Sequence, residues 1–227
     1  MAVDRSLTPA TPKGYRAAVV ATLKQSLEAA LAALTRQCPP VRAPWPADVA
    51  VWLLDLAAAC RLAGLDEGVG DWLDTATAAA LCATRDPRLR RERLATAVWL
   101  RQRLAKDIGV DPRELVFTAG AYGKPYLTAA GAYEHLPTYN LSHSGGVALL
   151  AVSTHGREVG VDVEVARSGR QLARIVHGFL SADEQAAVES VGPVEAAGWL
   201  LRRWSAKEAV SKAWGLGLSA GLARIEV

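Results

Sequence analysis

The stretch Val159-Gly160-Val161-Asp162-Val163-Glu164-Val165 alternates apolar residues with small or acidic ones without a break. That is the period-two pattern of a β-strand. Successive strand side chains point to opposite faces, so the four valines share one face and Asp162 and Glu164 the other, the two carboxylates roughly 7 Å apart. Carboxylates that close raise each other's pKa and repel unless a cation lies between them or water screens them. The segment alone therefore admits two readings: a half-exposed strand with an acidic outer face, or part of a cation site.

Immediately upstream, Tyr139 to Gly146 (YNLSHSGG) leads through small hydrogen-bonding residues into the apolar run Val147 to Val152. Thr154 to Arg157 turns the chain, and Val159 to Val165 returns. The expectation is a hairpin over Val147 to Val165, with His143 near the end of the acid-bearing strand. A lone histidine is ordinarily structural. Further upstream, Leu115 to Thr118 reads as a strand, followed by a turn over Ala119 to Pro125 (AGAYGKP). Lys124 in that turn could meet a phosphate or simply be exposed.

From Pro87 a long helix is expected, with Leu94, Val98, Leu104, Ala105 and Ile108 as its buried stripe and Gly109 as its stop. Arg85, Arg88, Arg90, Arg91, Arg93, Arg101 and Arg103 decorate its other sides. A solvated basic face is the ordinary reading of such a run, and an anion site the other. Residues 71 to 84 read as a shorter helix, and Val49 to Leu56 as a strand-length apolar run. Before it, Pro39, Pro40, Pro44 and Pro46 exclude a persistent helix or central strand. Val20, Leu23, Leu27, Leu31 and Leu34 mark an amphipathic helix nearer the N-terminus.

Downstream, Ser181 to Glu184 (SADE) is a capping-box pattern that starts a helix. A last long helix runs from about Val194 to Trp214 and stops at Gly215. Leu200, Leu201, Trp204, Glu208 and Ser211 follow one stripe of it, so Glu208 continues the inward side and needs a partner. Lys212, one turn on, supplies the plainest one.

The bulk numbers set limits. The chain has 227 residues, 51% of them apolar, enough for one large domain or two small lobes. The net charge of +3, from 26 basic and 23 acidic residues, does not by itself mark a polyanion binder. Cys38, Cys60 and Cys82 are odd in number, lack a CxxC pairing and sit among alanines and leucines, so buried or partly buried thiols in a reducing compartment are expected. The first fifteen residues contain no signal-peptide core. The most apolar window, Ala17 to Leu34, carries Lys24 and Glu28 and makes a poor membrane span. A cytoplasmic protein is expected.

Four pieces occur together: GKP at Gly123 to Pro125, NLSHSGG at Asn140 to Gly146, GVDVE at Gly160 to Glu164, and WSAKEAVSKAWGLGL at Trp204 to Leu218. In this order and spacing they resemble the 4'-phosphopantetheinyl transferases, in particular the larger two-lobed type that activates peptide and polyketide synthetases. The resemblance covers roughly residues 49 to 227. It implies an α+β, pseudo-twofold, two-lobed fold, each lobe a long helix packed on an antiparallel sheet. The divisions would be an N-terminal extension with one amphipathic helix and a proline-rich linker over 1–48, a first lobe over 49–137, and a second lobe over 138–227 carrying the metal site.

The implied reaction moves the phosphopantetheine arm of coenzyme A onto a serine hydroxyl of an apo acyl, peptidyl or aryl carrier protein, as in fatty acid, polyketide or nonribosomal peptide biosynthesis. It releases adenosine 3',5'-bisphosphate and depends on Mg²⁺. Attack of a neutral hydroxyl on a diphosphate needs charge neutralisation, a proton acceptor and in-line positioning. By the resemblance Asp162, Glu164 and Glu208 are the Mg²⁺ ligands. Glu208, or Glu164 through a water, is the general base. Lys124, Ser142, His143, Lys207, Lys212 and Arg91 bind coenzyme A. A monomer is implied, with coenzyme A and a carrier protein as partners and neither nucleic acid nor membrane. The dense arginine run Arg85 to Arg93 lacks interleaved aromatics, which argues against a nucleic-acid binder. The alternative is a non-catalytic coenzyme A or carrier-protein binder. Members of the family usually continue past the segment matching Ser219 to Val227, so a C-terminally short second lobe is expected.

Overall fold

The computed structural model describes residues 40–41, 45–61, 72–130, 135–165, 178–216 and 221–227. The amphipathic helix expected around Val20 to Leu34, Cys38 and most of the proline-rich segment lie outside the described residues.

Strand β1 (Val49–Asp55) ends where Asp55 caps a short helix α1 (Leu56–Cys60), its carboxylate accepting from Ala58 N at 3.0 Å. Helix α2 (Thr75–Ala83) is capped in the same way by Asp74. The long helix α3 (Pro87–Ile108) has Asp86 as N-cap, with Pro87 in the first turn, where its missing N–H leaves no hydrogen bond unmade. Gly109 ends it at φ 73°, a left-handed conformation that favours glycine. Strands β2 (Leu115–Ala119) and β3 (Pro125–Ala130) form an antiparallel hairpin around the AGAYGKP turn. Strands β4 (Thr138–Ser144) and β5 (Val147–Ser153) form a second one. Helix α4 (Ala182–Glu189) starts at the Ser181/Glu184 capping box, and α5 (Pro193–Trp214) stops at Gly215.

β1, β5 and β4 make one antiparallel sheet in that order, with Trp52 opposite Leu150 and Leu150 opposite Leu141. β5 is the central strand and is apolar on both sides, as burial of both faces requires. Toward α3 it presents Ala148, Leu150 and Val152, which pack with Trp52, Leu54, Val98, Trp99 and Leu104. Each fully buried leucine or valine here contributes about 1.5–3 kcal/mol relative to exposure. On its other face Ala151 meets Val51 and Val159, with Leu149 and Val161 beside them. A separate cluster, Phe179, Leu180, Leu200, Leu222 and Ile225, packs under α5, with Trp204 edge-on to Phe179 at 5.2 Å. The result is an α+β arrangement of helices and antiparallel strands. Among the described residues no helix is long and apolar enough to cross a membrane.

Three expectations are corrected. The hairpin is not Val147 to Val165 but Thr138 to Ser153, because Gly145 (φ 55°) and Gly146 (φ 89°) both accept positive φ, as a two-residue hairpin turn of matching twist demands. YNLSHSGG is therefore a strand and its turn, not a lead-in. Secondly, Val159 to Val165 is an extended segment outside both sheets. Val159 and Val161 share one apolar face, as the alternation requires, but they cover the sheet instead of extending it, and Val165 is exposed. Thirdly, Arg101 does not decorate a solvated side of α3. It is 4% exposed, donating to Pro112 O (3.2 Å), Leu115 O (2.9 Å) and the Asp74 carboxylate (2.6 Å). A buried guanidinium needs such partners. Of the thiols, Cys60 is half-buried but Cys82 is exposed on α2.

Candidate active site

The acid-bearing segment runs along β4 in the same direction. Arg157 O accepts from the Thr138 hydroxyl, and further on Ser142 meets Asp162 and Ser144 meets Glu164. On its far side the segment lies against α5. A Cβ on Gly160 would sit 1.9 Å from Ala209 O and 2.5 Å from Ala213 N, so only glycine allows the backbones this close. Through that contact Asp162 and Glu164 meet the helix turn that carries Glu208 and Lys212.

Lys212 Nζ donates to Asp162 Oδ1 at 2.6 Å and to Ser142 Oγ at 3.0 Å. Ser142 Oγ in turn donates to Asp162 Oδ1 at 2.9 Å and accepts from Val163 N at 3.3 Å. The expected helix pair between Glu208 and Lys212 thus gives way to a pair between Lys212 and Asp162. Two acid oxygens remain buried without a hydrogen-bond partner among the described residues, Asp162 Oδ2 and Glu208 Oε1. Burial pushes the Glu208 carboxyl above its ordinary value. Lys212 opposes that shift, and the charges of Asp162 and Glu164 reinforce it.

Orphaned, mutually repelling carboxylate oxygens are what a hard divalent cation satisfies. Asp162 Oδ2 and Glu208 Oε1 are oxygens of the kind such a cation takes. Among the described residues no three His, Cys, Asp or Glu side chains form a group that could hold a metal ion. Mg²⁺ does not need three, since it binds through one or two carboxylates and keeps several waters.

A cavity of about 220 Å³ adjoins this cluster, lined by Tyr122, Lys124, Pro125, Asn140, Leu141 and Lys212. Lys124 is placed there, but its ammonium is engaged by the protein: Glu158 Oε2 at 2.5 Å, Ala213 O at 2.8 Å and Val159 O at 3.5 Å. It fastens the β2–β3 turn to the carbonyl end of α5, where a cation is favoured by the unsatisfied carbonyls. Lys207 is fully buried and turned away from Asp162, donating to Phe179 O at 2.9 Å and to the Glu184 carboxylate. Its residue type and spacing resemble those of Lys212, yet its partners belong to the start of α4. Arg91 donates to Cys60 O at 2.6 Å, holding α3 to the end of α1. His143 is exposed, on the opposite face of β4 from Ser142 and Ser144. Of the residues singled out in the sequence, Asp162, Glu164, Glu208, Ser142 and Lys212 are brought together, with Lys124 at the edge. Ser144 and Asn140, which hold the acidic segment, were missed. Their position two residues either side of Ser142 on an alternating strand is the signal that marks them.

The model of the 4'-phosphopantetheinyl transferase superfamily matches residues 158–227, which hold the GVDVE and WSAKEAVSKAWGLGL motifs. The chain is similar to the 4'-phosphopantetheinyl transferase HetI of Nostoc sp., 34% identical over 141 residues, covering 62% of this chain and 58% of that protein. It is 33% identical over 122 residues to the 4'-phosphopantetheinyl transferase of Bacillus subtilis, covering 53% of this chain and 50% of that protein. With the 4'-phosphopantetheinyl transferase AcpT of Escherichia coli it is 35% identical over 127 residues, 56% of this chain and 59% of that protein. The chain thus spans between half and three fifths of the length of the curated relatives it matches.

Proposed function

We propose that this protein is a 4'-phosphopantetheinyl transferase that moves the phosphopantetheine arm of coenzyme A onto a serine hydroxyl of an apo carrier protein, with adenosine 3',5'-bisphosphate as the other product. The observation that carries the reading is the pair of orphaned acid oxygens, Asp162 Oδ2 and Glu208 Oε1, beside Lys212 on the wall of a cavity.

In this reading Asp162, Glu164 and Glu208 hold Mg²⁺, which when bound neutralises charge on the diphosphate. Lys212, half-buried and fixed by Ser142, holds a phosphate from the cavity side, and His143, exposed at the end of β4 on the opposite face, offers a further ring donor. Glu208 accepts the carrier serine's proton at a carboxylate oxygen, or Glu164 does so through a water. Lys124 reaches a phosphate only by exchanging its contact with Glu158. Lys207 supports the site by holding α5 to the start of α4, and Arg91, bound to Cys60 O, ties α3 to α1 away from it. The division into two lobes, 49–137 and 138–227, is retained in this reading, with β1 as the strand by which the first joins the sheet of the second. A cytoplasmic monomer acting without nucleic acid or membrane completes it.

Intact-mass spectrometry of an apo carrier protein incubated with this chain, coenzyme A and Mg²⁺ tests the proposal. A gain of one phosphopantetheine that a chelator abolishes is the expected result. No gain across acyl, peptidyl and aryl carriers, with the chain folded, would leave a coenzyme A or carrier-protein binder. Asp162→Ala and Glu208→Ala are expected to reduce transfer by about a thousandfold or more while leaving the circular dichroism spectrum unchanged.

A further inference from the structure

An extended segment that lacks a backbone ladder to its neighbour has no inherent register, and a slip of one residue turns every side chain to the opposite face. For Val159 to Val165 such a slip would carry the acids away from Ser142, Ser144 and Lys212 and turn Val159 and Val161 off the sheet. The rungs that prevent it come from side chains of β4. Asn140 Oδ1 accepts from Val161 N at 2.9 Å. Ser142 Oγ accepts from Val163 N at 3.3 Å and donates to Asp162 Oδ1 at 2.9 Å. Ser144 Oγ donates to Glu164 Oε2 at 3.0 Å. The rungs rise two residues at a time on β4, so Asn140, Ser142 and Ser144 share one face of it. Asn140 and Ser142 are each 5% exposed, and a buried backbone N–H left without a partner is destabilising. Register is therefore set by polar side chains whose partners exist in one alignment only.

We propose that Asn140, Ser142 and Ser144 form a side-chain ladder that fixes the register of the acidic segment, and that Ser144 is the positioning residue for Glu164. The ladder's purpose, resting on the reading above, is to present Asp162 and Glu164 together to a divalent cation. Ser142 holds one acid and Ser144 the other by the same hydroxyl-to-carboxylate bond, which fixes each carboxylate's orientation before a cation arrives.

Calorimetric titration of the full chain with Mn²⁺ tests the role of Ser144. Ser144→Ala is expected to weaken binding about tenfold, and Ser144→Thr, which keeps the hydroxyl, to return it to within about twofold. Unchanged affinity in Ser144→Ala, or no recovery in Ser144→Thr, overturns the assignment. If the unsubstituted chain binds no Mn²⁺, the cation reading fails, and with it the role of Ser144 toward the cation. The ladder itself is judged separately by amide hydrogen exchange on the cation-free chain. Asn140→Ala is expected to speed exchange at Val161 by about tenfold or more without affecting the amides of α3. An unchanged rate at Val161 overturns the ladder.

Discussion

At the scale of single residues, Gly160 decides whether the site exists. Its missing side chain is what lets Ala209 O and Ala213 N approach, and both are backbone atoms of a helix that cannot swing aside as a side-chain tip can. Gly160→Ala is expected to cost about 1–3 kcal/mol in a urea unfolding titration and to separate Asp162 from Lys212. Transfer activity should fall with it even where the fold survives. In the sequence Gly160 looks like one more small residue in an alternating strand. The physical reason it must be glycine lies 49 residues away, in the backbone of α5, and no local pattern reports it. Asp162, Glu164 and Glu208 are different: acids on an alternating valine segment and on an inward helix stripe are conspicuous in the sequence itself.

At the scale of elements, the two lysines expected at phosphates show how helix geometry sorts like residues. Lys207 and Lys212 are five apart on α5, so they point to different sides, one toward α4 and the other toward β4 and Asp162. For Glu184, burial pushes its carboxyl up, but the hydrogen bond and charge of Lys207 and the Ser181 N–H outweigh it and hold it below its ordinary value. A depressed folded-state pKa gives stability that is present above the unfolded value and lost as pH falls through the folded one. Melting temperature should therefore fall more steeply below about pH 4 in the unsubstituted chain than in Glu184→Gln, which is less stable at neutral pH. Parallel curves would refute the role given to this pair. Lys124 clamps the β2–β3 turn to α5 by its contacts with Glu158 and Ala213 O. Lys124→Met is expected to lower stability by about 1–2 kcal/mol, in addition to any effect on coenzyme A affinity. A loss of affinity with no loss of stability would mean that the clamp is idle.

At the scale of the molecule, the sheet crosses the division expected between lobes. β5 has β1 on one side and β4 on the other, so residues 138–227 without β1 would turn the most apolar strand into an exposed edge. Expressed alone, that piece is expected to aggregate on size-exclusion chromatography, whereas a sharp monomer peak would show an independent lobe.

The sequence by itself determined the long helices with their stops at Gly109 and Gly215, the capping box at Ser181, the shared apolar face of Val159 and Val161 and the identity of the acidic residues. Each depends on periods and end signals carried by neighbouring residues. Tertiary structure alone decided that β4 and not Val159 to Val165 is the hairpin partner of β5, that Arg101, Lys124 and Lys207 are anchored within the protein, and that Lys212 pairs with Asp162. Those outcomes follow from which backbones can touch and which buried charges find partners across the chain, and such contacts leave no periodic trace in sequence.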